Sequence, residues 1–140
     1  MRAGRLMLEE IEHYMRRGAD FGFETTLSGR GHLGVIRRLK EHGYQVHFFY
    51  LWMPSVELGL ARIRERVLRG GHDVPEVVVR RRFGRSITNF LVQYRLLADR
   101  WILFDNSSAR PRLVASQKQG LLRVVDTKGY NDLVARYRVL

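Results

Sequence analysis

Two short polar stretches of this 140-residue chain carry residue types that bind a polar substrate. Each follows an apolar, strand-like run, and ligands of open parallel sheets bind beyond the carboxyl ends of the strands. Carboxylate, hydroxyl, amide and guanidinium groups come from Glu24, Thr25, Thr26, Ser28 and Arg30, and from Asp105, Asn106 and Ser107. We expect the first set to bind substrate and the second to contact substrate or nucleotide at a strand end. Serine and threonine also cap helices, and that alternative stays open.

Glu24 lies between Phe23 and Thr25 at the end of an apolar run. A carboxylate in such a place is costly to bury unless it has a partner. Arg30 could neutralise it as a structural ion pair. Alternatively, Glu24 binds substrate hydroxyls or takes part in magnesium or proton handling, and the sequence leaves both hypotheses open.

A series of arginines flanks the Gly70-Gly71 turn. They are Arg62, Arg64, Arg66, Arg69, Arg80, Arg81, Arg82 and Arg85. Two arginine-lined helices joined by a mobile glycine turn suit a lid over a polyphosphate, because guanidinium groups stabilise the charge that develops on phosphoryl oxygens. A solvated basic face is the alternative for any single arginine.

Composition narrows the class of protein. The formal charge of +11, nearly all arginine, favours an anionic ligand or nucleic acid, although an arginine-rich surface without a ligand gives the same charge. The chain has no cysteine and its five histidines lack ligand spacing, so we predict no metal site. No apolar run reaches the ~20 residues needed to cross a bilayer, and we expect a cytoplasmic protein without a membrane segment.

Helical and strand-like patterns alternate along the chain. Helices are predicted around positions 8–15, 33–39, 56–67, 76–97 (broken near Gly84) and 131–137, and strands at 21–25, 44–52 and 101–104, followed by a hairpin over 112–125. Strands separated by helices indicate right-handed βαβ units. The predicted fold class is therefore α/β, three-layer, with a mainly parallel sheet in a single domain over residues 1–140. The run 44–52 is expected to be covered on both faces.

Several motifs occur together, in order, between residues 4 and 116. They are Phe23-Glu24-Thr25-Thr26-Leu27-Ser28-Gly29, Gly43-Tyr44, Arg66-Val67, Gly70-Gly71-His72-Asp73-Val74-Pro75, Arg82-Phe83-Gly84-Arg85-Ser86 and Asp105-Asn106-Ser107. This ordered set resembles the zeta-toxin family of P-loop kinases. The resemblance implies a small-molecule kinase that uses ATP and Mg²⁺, with a nucleotide sugar as a candidate substrate. It also implies that Glu24 faces the substrate, Arg66 approaches nucleotide phosphates, and Arg82 with Arg85 forms the lid.

The chain departs from that family at one point, since it has no GxxxxGK(S/T) loop and no catalytic aspartate following such a loop. We therefore expect a P-loop NTPase-like core without its first strand and phosphate-binding loop. That loop supplies the amides and the lysine that hold phosphate, so the isolated chain should neither bind ATP tightly nor transfer phosphate. The alternative is a non-catalytic module that binds protein (a second copy or an antitoxin-like chain) or, less favoured, nucleic acid.

Overall fold

The computed structural model describes residues 2–137. Its helices are α1 (Arg2–Arg17), α2 (His32–Glu41), α3 (Val56–Leu68), α4 (Glu76–Asn89), α5 (Arg95–Leu97) and α6 (Thr127–Tyr137), with a π-helical turn at Phe90–Tyr94 between α4 and α5. The strands are β1 (His47–Trp52), β2 (Arg100–Asp105), β3 (Arg112–Lys118) and β4 (Leu121–Val124). Across this described part of the chain, no helix combines the length and apolar character that crossing a membrane requires.

The four strands form one mixed sheet in the order β1-β2-β3-β4. β1 and β2 are parallel, whereas β2–β3 and β3–β4 are antiparallel. The prediction of a three-layer, mainly parallel sheet with a P-loop NTPase-like core is therefore wrong. The hairpin over 112–125 was expected, and Gln119 and Gly120, both with positive φ (50° and 79°), make the two-residue turn that folds β4 back onto β3. The sheet differs from the prediction because this hairpin lies antiparallel against β2 and because no strand forms at 21–25.

The strand predicted at 21–25 does not form, and residues 19–28 lie outside every helix and strand. Phe21 and Phe23 nevertheless lie on one side of the chain, with nearly parallel rings whose centroids are 6.5 Å apart. That is the pattern of alternate residues in an extended backbone. A strand also needs a hydrogen-bonded neighbour, and no backbone hydrogen bond within residues 2–137 joins this segment to β1. The segment is extended and unpaired.

β1 is covered on one face, which corrects the expectation that both are buried. Phe48, Tyr50 and Trp52 pack against the core. Phe49 and Leu51 point the other way and are 67% and 54% exposed. The core lies between the first face and the helices, and its largest fully buried side chains are Trp101, Tyr94, Phe90, Ile87, Leu103, Leu133 and Val114.

The helix ends agree with the local signals better than the sheet does. Ser55 caps α3, and its Oγ accepts a hydrogen bond from the Leu58 amide at 3.3 Å. Gly43 follows α2 with φ 84°, as a left-handed cap position requires. α4, by contrast, passes through Gly84 without the predicted break, and the irregularity comes later, at the π-helical turn. There Phe90, Leu91 and Tyr94 are all buried.

Candidate anion-binding groove

A groove of about 1620 Å³ separates β1 from the extended segment 20–27. At one end the two walls are joined by Tyr44, whose hydroxyl donates to the Ala19 carbonyl at 3.0 Å. At the other end they are joined by Ser86, whose hydroxyl donates to the Thr26 carbonyl and lies 2.7 Å from the Tyr50 hydroxyl. Side chains from α3 and α4 complete the lining.

The loop at residues 26–29 is held by side chains of the helix opposite it. Three donors on α4 and the π-helical turn each bond one loop carbonyl. The bonds run from Ser86 to Thr26, from Asn89 to Leu27 (2.8 Å) and from Tyr94 to Gly29 (2.8 Å). The Leu27 side chain, 5% exposed, anchors the same loop in the core with φ 51°. These contacts define where the preceding residues 24–26 sit.

The predicted substrate residues divide between two cavities. Glu24, Thr25 and Thr26 line the groove. Ser28 and Arg30 instead line a smaller cavity of about 650 Å³. The hydroxyls also make local bonds, because Thr25 Oγ1 accepts from the Leu27 amide at 3.3 Å and Thr26 Oγ1 lies 2.9 Å from Ser28 Oγ. The structural role left open for these residues is therefore present alongside their place in the groove.

Glu24 is exposed, so the burial cost considered for it does not arise. The ion pairs found among residues 2–137 do not include one between Glu24 and Arg30. Arg30 faces the smaller cavity instead. The Glu24 carboxylate is accordingly placed to contact a ligand in the groove.

Three arginines line the groove, namely Arg62, Arg66 and Arg82. Arg62 Nη2 donates to the Ser108 carbonyl at 3.2 Å, and Arg66 Nη2 donates to the His72 carbonyl at 2.9 Å. A guanidinium group has five N–H donors, so each keeps several for an anion. The predicted mobile glycine turn packs closely, because a Cβ on Gly71 would lie 2.4 Å from Arg66 Cγ.

The smaller cavity is also lined by arginine. Arg30, Arg80, Arg81 and Arg85 surround it together with Ser28, Gly84, Thr88 and Asn89, and no acidic side chain lines it. Arg80 is partly neutralised, since it bonds Glu76 at 2.7 Å and Glu57 at 3.0 Å. Arg82 and Arg85, which the family resemblance places in one lid, thus line different cavities.

Asp105, Asn106 and Ser107 line neither cavity and instead close the end of the sheet. Asp105 is 8% exposed, and its carboxylate accepts from Arg112 Nη2 and from the Ser107 amide, both at 2.8 Å. Burial acts to raise the pKa of Asp105, but the hydrogen bonds from Ser107 and the Arg112 guanidinium outweigh it and lower the pKa. The backbone N–H of Asn106 donates to the backbone carbonyl of Trp52 at 2.7 Å.

The groove suits phosphate better than it suits a metal ion. Guanidinium groups bind phosphate oxygens with charge-assisted hydrogen bonds. Within residues 2–137, no three His, Asp or Glu side chains come together as a metal site requires. Mg²⁺ is commonly bound by one or two carboxylates plus substrate phosphates. Asp20 and Glu24 are the two carboxylates that line the groove, and they are the groups that would contact an Mg²⁺ ion carried in with a phosphate ligand.

Sequence reasoning missed the residues that position the loop. Ser86, Asn89 and Tyr94 were not predicted as site residues, although Asn89 carried a signal. Asparagine is a poor helix former, and here it directly precedes the apolar run Phe90-Leu91-Val92 within a predicted helix. A polar residue at such a position suggests a specific buried partner, which the structure shows to be the Leu27 carbonyl.

Comparison with known proteins adds one relative. No family model matches the chain, and no solved structure matches it. Over 81 residues the chain is 36% identical to a Haemophilus influenzae protein described as "Uncharacterized protein". The matched region is 58% of this chain and 58% of the relative. This likeness carries no functional information, so the resemblance to zeta-toxin kinases stays a hypothesis.

Proposed function

We propose that the groove binds a phosphate-bearing small molecule, and that the chain carries the substrate- and arginine-bearing part of a small-molecule kinase of the zeta-toxin type. One observation supports this proposal above others. Residues predicted for substrate (Glu24, Thr25, Thr26) and residues suited to phosphate (Arg62, Arg66, Arg82) line the same groove.

The two sets of groups divide the recognition of such a ligand. The arginines match phosphate oxygens in charge and geometry. The Glu24 carboxylate and the hydroxyls of Thr25 and Thr26 match the hydroxyl groups of a sugar or similar acceptor. A nucleotide sugar presents both kinds of group in one molecule.

The isolated chain should bind such a ligand weakly and should not transfer phosphate. The groove is larger than the roughly 300–1,000 Å³ of a typical ligand site, so a ligand would stay partly hydrated. No lysine lines it, and the chain's three lysines lie elsewhere. Lys40 bonds Asp99 and Lys128 bonds Asp132, each at 2.8 Å.

The test is to titrate the protein with a UDP-linked sugar and with ATP at low salt and to measure binding by calorimetry or ligand-detected NMR. We expect a Kd above about 100 μM, which corresponds to a free energy weaker than about −5.5 kcal/mol. The double variant Arg66→Ala/Arg82→Ala should weaken binding at least about five-fold, whereas Arg123→Ala on β4 should not. Equal binding by wild type and the double variant would refute the site. Turnover of ATP by the isolated chain would refute its inactivity.

The smaller cavity favours a second candidate, a non-catalytic module that binds nucleic acid. Four arginines around a depression without acidic side chains match a phosphate backbone. Binding of this kind weakens steeply with salt, because counterions are released. Oligonucleotide affinity that falls about ten-fold or more between 50 and 200 mM salt, and that Arg30→Ala/Arg81→Ala reduces, would support this candidate. Absence of binding at low salt would exclude it.

A further inference from the structure

Among the strands of residues 2–137, β1 has a neighbour, β2, on one edge and none on the other. The carbonyls of Val46 and Trp52 point towards β2, where they accept from Asp99 (2.9 Å) and Asn106 (2.7 Å). Backbone groups alternate sides along a strand, so the N–H and C=O groups of residues 47, 49 and 51 lie on the opposite edge. That edge faces the groove, which Phe49 and Leu51 line.

The opposite wall of the groove is equally unpaired and runs the same way. Ala19 is joined to Tyr44 at one end, and Thr26 is joined through Ser86 to Tyr50 at the other. The eight residues from Ala19 to Thr26 therefore match the seven residues from Tyr44 to Tyr50 in direction and approximate length. Between these two ends the walls share no backbone hydrogen bond within the described residues.

The space between the walls corresponds to one strand. At the Tyr44 end, a tyrosine side chain and one hydrogen bond span the gap, a reach of about two strand spacings of ~4.8 Å each. A single extended chain placed midway would pair with β1 on one side and with the segment 20–27 on the other. It would satisfy the unpaired backbone groups of both walls at once.

We propose that the groove accepts an extended β-strand from a separate polypeptide, with acidic residues at the end that meets Arg62, Arg66 and Arg82. This proposal does not rest on the kinase function proposed above, although the strand and a phosphate ligand would compete for Arg62, Arg66 and Arg82. Strand addition to an exposed edge takes its affinity from main-chain hydrogen bonds and its specificity from side-chain contacts.

Side chains of the groove indicate what that strand must carry. Phe49 and Leu51, both more than half exposed, offer apolar contact to alternate residues of the guest. Arg62 marks the acidic end, because its Nη1 lies 3.5 Å from the sulfur of Met53, directly after β1.

A second copy of the chain fits this site less well than an acidic strand. Two copies would each bring a net charge of +11 to the interface. In addition, the segment 20–27 lies across the groove from the β1 edge, and the Tyr44 side chain spans the gap at one end, which leaves width for a single strand and not for a second sheet. A single acidic strand avoids the charge repulsion and fits the width of the groove.

The test uses fluorescein-labelled ten-residue peptides of alternating valine and threonine, with three glutamates at either the carboxyl or the amino end. Binding is followed by fluorescence anisotropy. We expect one of the two orientations to bind at least ten-fold more tightly than the same peptide with lysines in place of the glutamates. N-methylation of alternate peptide nitrogens should weaken that binding at least ten-fold, because it removes main-chain donors.

A protein variant tests the same edge. Phe49→Pro removes one groove-facing N–H and leaves the β1–β2 hydrogen bonds in place, so it should weaken the peptide at least ten-fold. Leu122→Pro, a proline in the opposite edge strand β4, is the matched control and should leave peptide affinity unchanged. If Phe49→Pro does not fold, the N-methylated peptide decides the question on the wild-type chain.

Three outcomes would overturn the proposal. The first is absence of binding by both peptide orientations. The second is equal binding of the N-methylated peptide, which would show that no strand pairing occurs. The third is a dimer of the free chain that Phe49→Pro dissociates, since the occupant would then be a second copy. Failure of nucleotide-sugar binding would leave all three results unaffected.

Discussion

Replacing Asn89 by alanine tests whether the loop at 26–29 depends on its hydrogen bond from the helix. Asn89 is 8% exposed, and its amide donates to the Leu27 carbonyl at 2.8 Å. The variant leaves that carbonyl without its donor, at a cost of about 1–3 kcal/mol. A loosened loop would also lose part of the burial of Leu27, worth at most about 1.5–3 kcal/mol. We expect a loss of about 2 kcal/mol in the free energy of unfolding.

Urea denaturation measures this loss directly, and in a thermal melt it should appear as a fall in Tm of roughly 8 °C for a chain of this size. The matched control is Asn131→Ala, the same change at an exposed position of α6, which should stay within about 0.5 kcal/mol of wild type.

A double-mutant cycle with Tyr94→Phe extends the test, because Tyr94 holds the neighbouring Gly29 carbonyl. The two changes should be non-additive by about 0.5 kcal/mol or more if both residues hold one loop. A loss for Asn89→Ala no larger than that of the control, or strict additivity in the cycle, would refute this account of how the loop is positioned.

Two further predictions follow from contacts near the groove. Gly71→Ala should destabilise the chain by about 1–3 kcal/mol in urea unfolding, because the new Cβ would lie 2.4 Å from Arg66 Cγ. In the control Gly22→Ala the new Cβ meets nothing within 4 Å, so its effect should be close to neutral. Equal effects of the two changes would contradict the tight turn. Asp105→Asn should lower the free energy of unfolding by about 1 kcal/mol at neutral pH. Because the folded pKa of Asp105 is lowered, this difference from wild type should persist above about pH 5 and vanish as pH falls through the folded pKa. A difference that does not change with pH would contradict the role of the charge.

Local features of the sequence determined the ends of several elements. Ser55 caps α3, Gly43 follows α2 with a positive φ, and Gln119-Gly120 make the turn between β3 and β4. Such features depend on residues within a few positions of one another, through a capping hydrogen bond or a positive φ. The buried stripe of α2, formed by Leu33, Ile36 and Leu39, follows from periodicity in the same way.

The sheet could not be derived in this way. Alternating helix and strand patterns indicated parallel strands, yet β1 and β2 are the only parallel pair among the described strands. The pattern at 21–25 has the alternation of a strand, but within the described part of the chain it has no neighbour to pair with. Pairing depends on backbone partners far away in sequence, which a local pattern does not specify.

The same limit applied to the candidate site. The sequence by itself determined which side chains could bind an anion, since arginine, glutamate and threonine are recognised by type. Only the tertiary structure decided that Arg66 and Arg82 share a groove with Glu24 while Arg30 and Arg85 face another cavity. The physical reason is that the loop is positioned by bonds from Ser86, Asn89 and Tyr94, which lie 60 to 65 residues away along the chain.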